Sequence, residues 1–154
     1  MSEQSLKATV QRDLHSAMRE RDQVRAGTLR MALTAITNEE VSGKQARQLT
    51  DDDVLKVLAK EAKKRREAAE AYTGAGRGEL ADREMAELAV LEGYLPAQLS
   101  DDELSRIVAQ AVEETGATGL PQLGQVMKAA QGTVAGRAEG GRVAAAVRAA
   151  LTAR

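Results

Sequence analysis

The sequence offers catalysis one histidine, six serines, no cysteine and several carboxylate pairs. His15 has Arg12 and Arg19 at the offsets where a helical metal pair would need a second ligand, so it cannot anchor a metal alone and reads as a helix residue at or near the surface. The absence of cysteine removes a thiol nucleophile, a disulfide framework, a Cys-ligated zinc and an iron–sulfur cluster. None of the serines stands in a Gly-x-Ser-x-Gly elbow. Pairs such as Glu39 with Glu40, or Glu84 with Glu87, are what charged helix faces produce constantly, and no surrounding pattern marks an apolar pocket that would shift their pKa. Gly74-Ala75-Gly76-Arg77-Gly78 is only superficially a phosphate loop: such loops follow a strand and, in nucleotidases, carry Lys-Ser/Thr. It reads instead as a helix C-cap and an interhelical turn. No catalytic residue, metal site or cofactor is expected.

The cations are distributed as unpromisingly. Lys60, Lys63, Lys64, Arg65 and Arg66 form a basic run, but Lys63 precedes Glu67 by four residues and Arg66 precedes Glu70 by four. These are intrahelical pairs, and the run is expected to be a solvated helix face. Counting through Leu95 gives 16 Lys+Arg against 17 Asp+Glu, and beyond it 6 against 6, so neither half is polybasic. With only Tyr72 and Tyr94, the chain lacks the aromatic platform on which unpaired bases stack. Recognition of a folded RNA by its backbone needs donors and cations rather than rings, and stays open.

Whatever these residues do, helices must position them. Ala occurs 29 times, Leu, Ile and Val together 30 times, and Phe and Trp not at all. That is a helix-forming composition with little β-branched or aromatic mass for a sheet. Leu6, Val10, Leu14, Ala17 and Met18 predict a first helix ending near Arg21, and Asp22 caps a second that carries Leu29, Ala32, Leu33 and Ile36 toward Glu40. Thr50 and three aspartates open a long third helix that stops at Gly74. Leu80, Met85, Leu88, Leu91 and Leu95 mark a fourth, ended by Pro96. Ser100 and Glu103 form a capping box before the stripe Leu104, Ile107, Val108, Ala111 and Val112. Pro121 suits the first turn of the next helix, which carries Leu123, Val126, Met127 and Ala130. A glycine-punctuated loop is expected from Gly132 to Gly141, before a last helix with Val143, Val147 and Leu151 and with Arg142, Arg148 and Arg154 outside. The expected fold is all-α, about seven helices, in two parts hinged at Leu95-Pro96-Ala97: a four-helix part over residues 1–95 and a small three-helix part over residues 96–154. No stretch reaches the roughly 18 apolar residues of a membrane span, and Met1 to Lys7 has neither a basic nor an apolar leader region, so a cytoplasmic protein with no membrane partner is expected.

Several of these segments resemble the GatB/YqeY family, small helical proteins similar to the tail of the B subunit of the glutamine-dependent tRNA amidotransferase. Arg25, Leu29, Arg30, Leu33, Ala35, Ile36 and Glu39 match its Arg-x-x-x-Leu-Arg region. Tyr72 leads into Gly76-Arg77, with Leu80-Ala81, Glu84 and Glu87 following. The most specific stretch is Tyr94-Leu95-Pro96-Ala97-Gln98-Leu99-Ser100 with Glu103-Leu104, and Gly124-Gln125-Val126-Met127 and Gly136-Arg137-Ala138-Glu139-Gly140 complete the series. Gln125 stands where the family usually has Lys, and Glu139 where it usually has Asp. The resemblance implies an all-α accessory module that contacts tRNA, without the transamidation chemistry, which in the amidotransferase resides in another domain. If the chain touches tRNA, contact is expected in the carboxy-terminal part, with Lys128, Arg137 and Arg142 on phosphates and Gly136, Gly140 and Gly141 letting backbone approach; the alternative is that Gly136 and the Gly140-Gly141 pair merely make the turn into the last helix. DNA is not an expected partner. The competing classes are a protein-interaction adaptor with no RNA role, and a stand-alone enzyme working through carboxylates.

Overall fold

The computed structural model describes residues 5–153. The first four residues and Arg154 lie outside that range. Among the described residues there are seven α-helices, one 3₁₀ turn and no strand: an all-α fold. The chain divides into two compact units, Met1–Leu95 and Pro96–Arg154.

The first unit holds α1 (Leu6–Arg19), α2 (Gln23–Glu40), α3 (Asp51–Gly74) and α4 (Gly78–Glu92). Three of the four starts carry a side-chain cap. Ser5 accepts from the Ala8 amide, Asp22 accepts from the Arg25 amide, and Thr50 forms a reciprocal capping box with Asp53. At 24 residues α3 runs roughly 36 Å, long enough to back most of the unit. It packs chiefly on α4, α1 packs chiefly on α2, and α2 touches both α3 and α4. The shared core is Ala32, Ile36, Val54, Leu58, Ala62, Leu88 and Leu91. In a chain without Phe or Trp, buried alanines such as Ala62 and Ala69 let helices pack without any side-chain entropy cost.

The second unit holds α5 (Asp101–Thr115), the 3₁₀ turn Leu120–Gln122, α6 (Leu123–Val134) and α7 (Gly140–Thr152). α5 packs on both α6 and α7, which pack on each other. The expected stripe forms the core: Leu104, Val108, Val112, Val126, Val143, Val147 and Leu151 are buried, with Ile107, Leu123 and Met127 packed against them. Gly116 ends α5 in the left-handed conformation at φ 67°, where glycine has no steric penalty.

Four expectations are corrected. α4 ends at Glu92, short of Pro96, because Gly93 and Tyr94 turn the chain back toward α1. The loop expected from Gly132 is mostly helix: α6 continues through Val134, which is fully buried, and Ala135 and Gly136 then reverse the chain at φ 48° and 80°. Pro121 lies in the 3₁₀ turn ahead of α6 rather than in its first turn. Met18 and Met85 lie on the exposed side of their helices, 51% and 50% accessible, although each fitted the apolar spacing.

Candidate nucleic-acid interface

The turn between α6 and α7, with the first turn of α7, brings five of the six candidate residues together. Arg137 folds back on the end of α6: its Nε donates to Val134 O at 3.0 Å and its Nη2 to Thr133 O at 2.8 Å. A guanidinium there satisfies carbonyls that the helix leaves unpaired and sits at the negative end of the helix dipole. Arg142, in the first turn of α7, donates from Nη2 to Leu99 O and to Asp101 Oδ1, both at 2.9 Å. The Leu99 amide in turn donates to Arg137 O at 2.8 Å. Arg137 and Arg142 therefore hold both backbone groups of Leu99, whose side chain enters the core.

Each arginine thus has a structural task before any ligand is considered. Arg142 keeps Nε and Nη1 outside these bonds, and Arg137 keeps Nη1, so both retain donors beyond those the fold uses. Lys128 is exposed on α6, in the middle of the helix that leads into the turn. Gly136 is exposed and left-handed, and its glycine identity follows from that φ.

Gly140 and Gly141 differ from expectation. They form the first turn of α7 in ordinary helical conformation, not a positive-φ loop. A Cβ at Gly140 would meet nothing within 4 Å, and one at Gly141 would meet only Glu139 Oε1 at 3.8 Å. Neither backbone conformation nor internal packing calls for glycine here, although glycine costs a helix up to about 1 kcal/mol relative to alanine. Glu139, the N-cap residue, makes no side-chain hydrogen bond to the helix start. The amides of Arg142 and Val143 are taken up by Glu139 O, so the Gly140 and Gly141 amides are the ones at the start of α7 that carry no side chain of their own residue above them.

In the first unit, the basic run of α3 is only partly a solvated face. Lys63 pairs with Glu67 at 3.9 Å, as its spacing predicts, and Lys60 is exposed. Arg65 turns inward, its side chain only 12% accessible, between Glu61 Oε1 at 3.6 Å and Glu87 Oε2 at 3.3 Å. Lys64 completes the cluster at 2.9 Å from Glu61 Oε2. The signal for this was present: Val54, Leu58, Ala62 and Ala69 define the buried stripe of α3, and Arg65 occupies the step between the last two. His15 is exposed on α1. No group of three or more potential metal ligands occurs among the described residues, and no helix among them is long and apolar enough to cross a membrane.

Comparison with known proteins follows the same outline. A family model described as Yqey-like protein matches residues 7–151. An uncharacterized protein of Schizosaccharomyces pombe is 35% identical over 98 residues, covering 63% of this chain and 77% of the relative. Altered inheritance of mitochondria protein 41, mitochondrial, of Pyrenophora tritici-repentis is 30% identical over 133 residues, covering 84% of this chain and 71% of the relative. The protein of the same name from Meyerozyma guilliermondii is 30% identical over 114 residues, or 70% of this chain and 59% of the relative. The expectation of a cytoplasmic protein is overturned by these relatives, two of which are mitochondrial by name. The absence of an apolar leader in a sequence says nothing against that compartment, because mitochondrial targeting segments are amphipathic and Arg-rich rather than apolar.

Proposed function

We propose that this protein, which belongs to the YqeY-like family, is a non-catalytic accessory module that contacts tRNA through the α6–α7 turn of its second unit. The observation that carries the reading is the Gly140-Gly141 start of α7, where glycine serves neither φ nor packing and where Arg137 and Arg142 flank exposed helix amides. Close approach of a phosphate from outside accounts for both glycines. The resemblance to the tail of the tRNA amidotransferase B subunit supports the same partner, and it relates the module to a carbon–nitrogen ligase without giving it that chemistry.

Binding on this reading is weak and salt-dependent. Contacts from Lys128, Arg137 and Arg142 give a log–log salt slope of about −2 to −3, and the formal net charge of −1 adds little long-range attraction. Lys128→Ala is the cleanest test, since Lys128 is exposed and caps nothing. Titration of tRNA across a salt series gives a slope shallower by about 1 in that variant, with an unchanged melting curve. A parent-like slope and affinity removes Lys128 from the interface. Recovery of a specific protein, and no RNA, from pull-downs with and without nuclease favours the adaptor class instead.

A further inference from the structure

We propose that the cleft formed by α2, α3 and α4 binds a small zwitterion, an apolar α-amino acid or its dipeptide, with Arg83 holding the carboxylate and Glu84 the ammonium group. The cleft measures about 430 Å³, within the range of small-molecule sites. Helix α4 presents Leu80, Arg83, Glu84 and Glu87 to it, with Leu80 three and four residues before Arg83 and Glu84 and Glu87 four and three after them, so all four share one face.

The charges there fall into two sets. Glu61, Arg65, Glu87 and Lys64 neutralise one another, two acids against two bases, and offer no net attraction to a simple anion. Arg83, Glu84 and the Tyr72 hydroxyl form no hydrogen bond or ion pair among the described residues, although all three line the cleft and Glu84 and Tyr72 are half-buried. A phosphate or carboxylate alone would gain from Arg83 and be repelled by Glu84, and an amine alone would meet the reverse. A molecule carrying both charges satisfies both residues.

The walls fit an apolar side chain, with Met31, Ala68, Leu80 and the Tyr72 ring lining the space. Met31 is 40% exposed, and its sulfur is the acceptor for Arg65 Nη2 at 3.4 Å. Thioether sulfur is a weak acceptor. Arg65 Nε is buried without a hydrogen-bond partner among the described residues. Arg65 is already held between Glu61 and Glu87, so an entering carboxylate is left to Arg83, which makes no hydrogen bond or ion pair of its own among the described residues. This inference concerns the first unit and does not depend on the RNA reading of the second.

The test is an amide NMR titration of the full chain with four probes: L-leucine, leucyl-leucine, 4-methylpentanoate, which lacks the amine, and 3-methylbutylamine, which lacks the carboxylate. The expected result is saturable shifts at Tyr72, Leu80, Arg83 and Glu84 with leucine or leucyl-leucine, and binding at least about tenfold weaker for each one-charge probe. Arg83→Gln should erase the zwitterion's advantage over the amine, and Glu84→Gln its advantage over the acid, both with an otherwise unchanged spectrum. The relative affinity of leucine and its dipeptide then measures the spacing of the two charges. Absence of saturable shifts with either zwitterion, or equal binding of leucine and 4-methylpentanoate, overturns the proposal.

Discussion

Tyr94, in the turn after α4, donates its hydroxyl to Asp13 Oδ2 on α1 at 2.6 Å, joining residues 81 apart in sequence. Arg25 approaches the other oxygen of Asp13 at 4.0 Å and Glu20 at 3.6 Å. Burial, then the hydrogen bond to Asp13 and its charge, push the Tyr94 hydroxyl above its ordinary pKa of 10.0. The folded state holds this proton more tightly than the unfolded chain does. Its contribution is therefore complete below about 10 and declines as pH rises beyond that value. Tyr94→Phe should cost about 1–2 kcal/mol at neutral pH, and melting curves taken into the alkaline range should fall less steeply in the variant than in the parent. Parallel alkaline limbs would contradict the assignment.

Arg65 balances two carboxylates in the first unit. Arg65→Met leaves Glu61, 8% accessible, with Lys64 as its remaining cation in this cluster, and should cost about 3 kcal/mol in denaturant unfolding. Adding Glu61→Gln and Glu87→Gln should restore part of that loss, because the unbalanced charges go with them. A triple variant less stable than Arg65→Met would show that the cluster is held by something other than charge balance.

The Ser100 box opens the second unit. The Ser100 amide first, then its hydroxyl, hold the Glu103 carboxyl below its ordinary 4.5, and Thr50 does the same for Asp53 at the start of α3. A depressed carboxyl contributes stability above its unfolded pKa and loses it as pH falls through the folded value, so acid should erode the α5 start below about 4.5 and the α3 start below about 3.8. Ser100→Ala should cost about 1 kcal/mol near neutral pH. Glu103→Gln should flatten the acid limb of the melting profile, and an unchanged limb would dismiss the box as a source of acid sensitivity.

What was legible in the sequence was local. Helical spacing located the stripe from Leu104 to Val112, and side-chain chemistry located the Ser100 box, because both signals lie within a few residues. Leu99 falls between the expected helices, outside any apolar stripe, and both its backbone groups are held by Arg137 and Arg142, about forty residues away. Val134 was lost in a glycine-rich stretch, where propensity argued for a loop and core packing prevailed. At the candidate site, residue type suggested phosphate contacts for Arg137 and Arg142, but not that both arginines first serve the fold. Gly140 and Gly141 suggested a flexible turn, and only their helical placement raises the question of why alanine does not stand there.

The most direct measurement is therefore tRNA affinity, taken together with thermal stability, for the double variant Gly140→Ala, Gly141→Ala. The cradle has room for both methyl groups, so melting should be unchanged or slightly higher, by up to about 1 kcal/mol for each alanine. If a phosphate approaches the start of α7, affinity should nonetheless fall by about tenfold, a loss unfolding cannot explain. A double variant that is equally or more stable and binds tRNA like the parent would contradict the account.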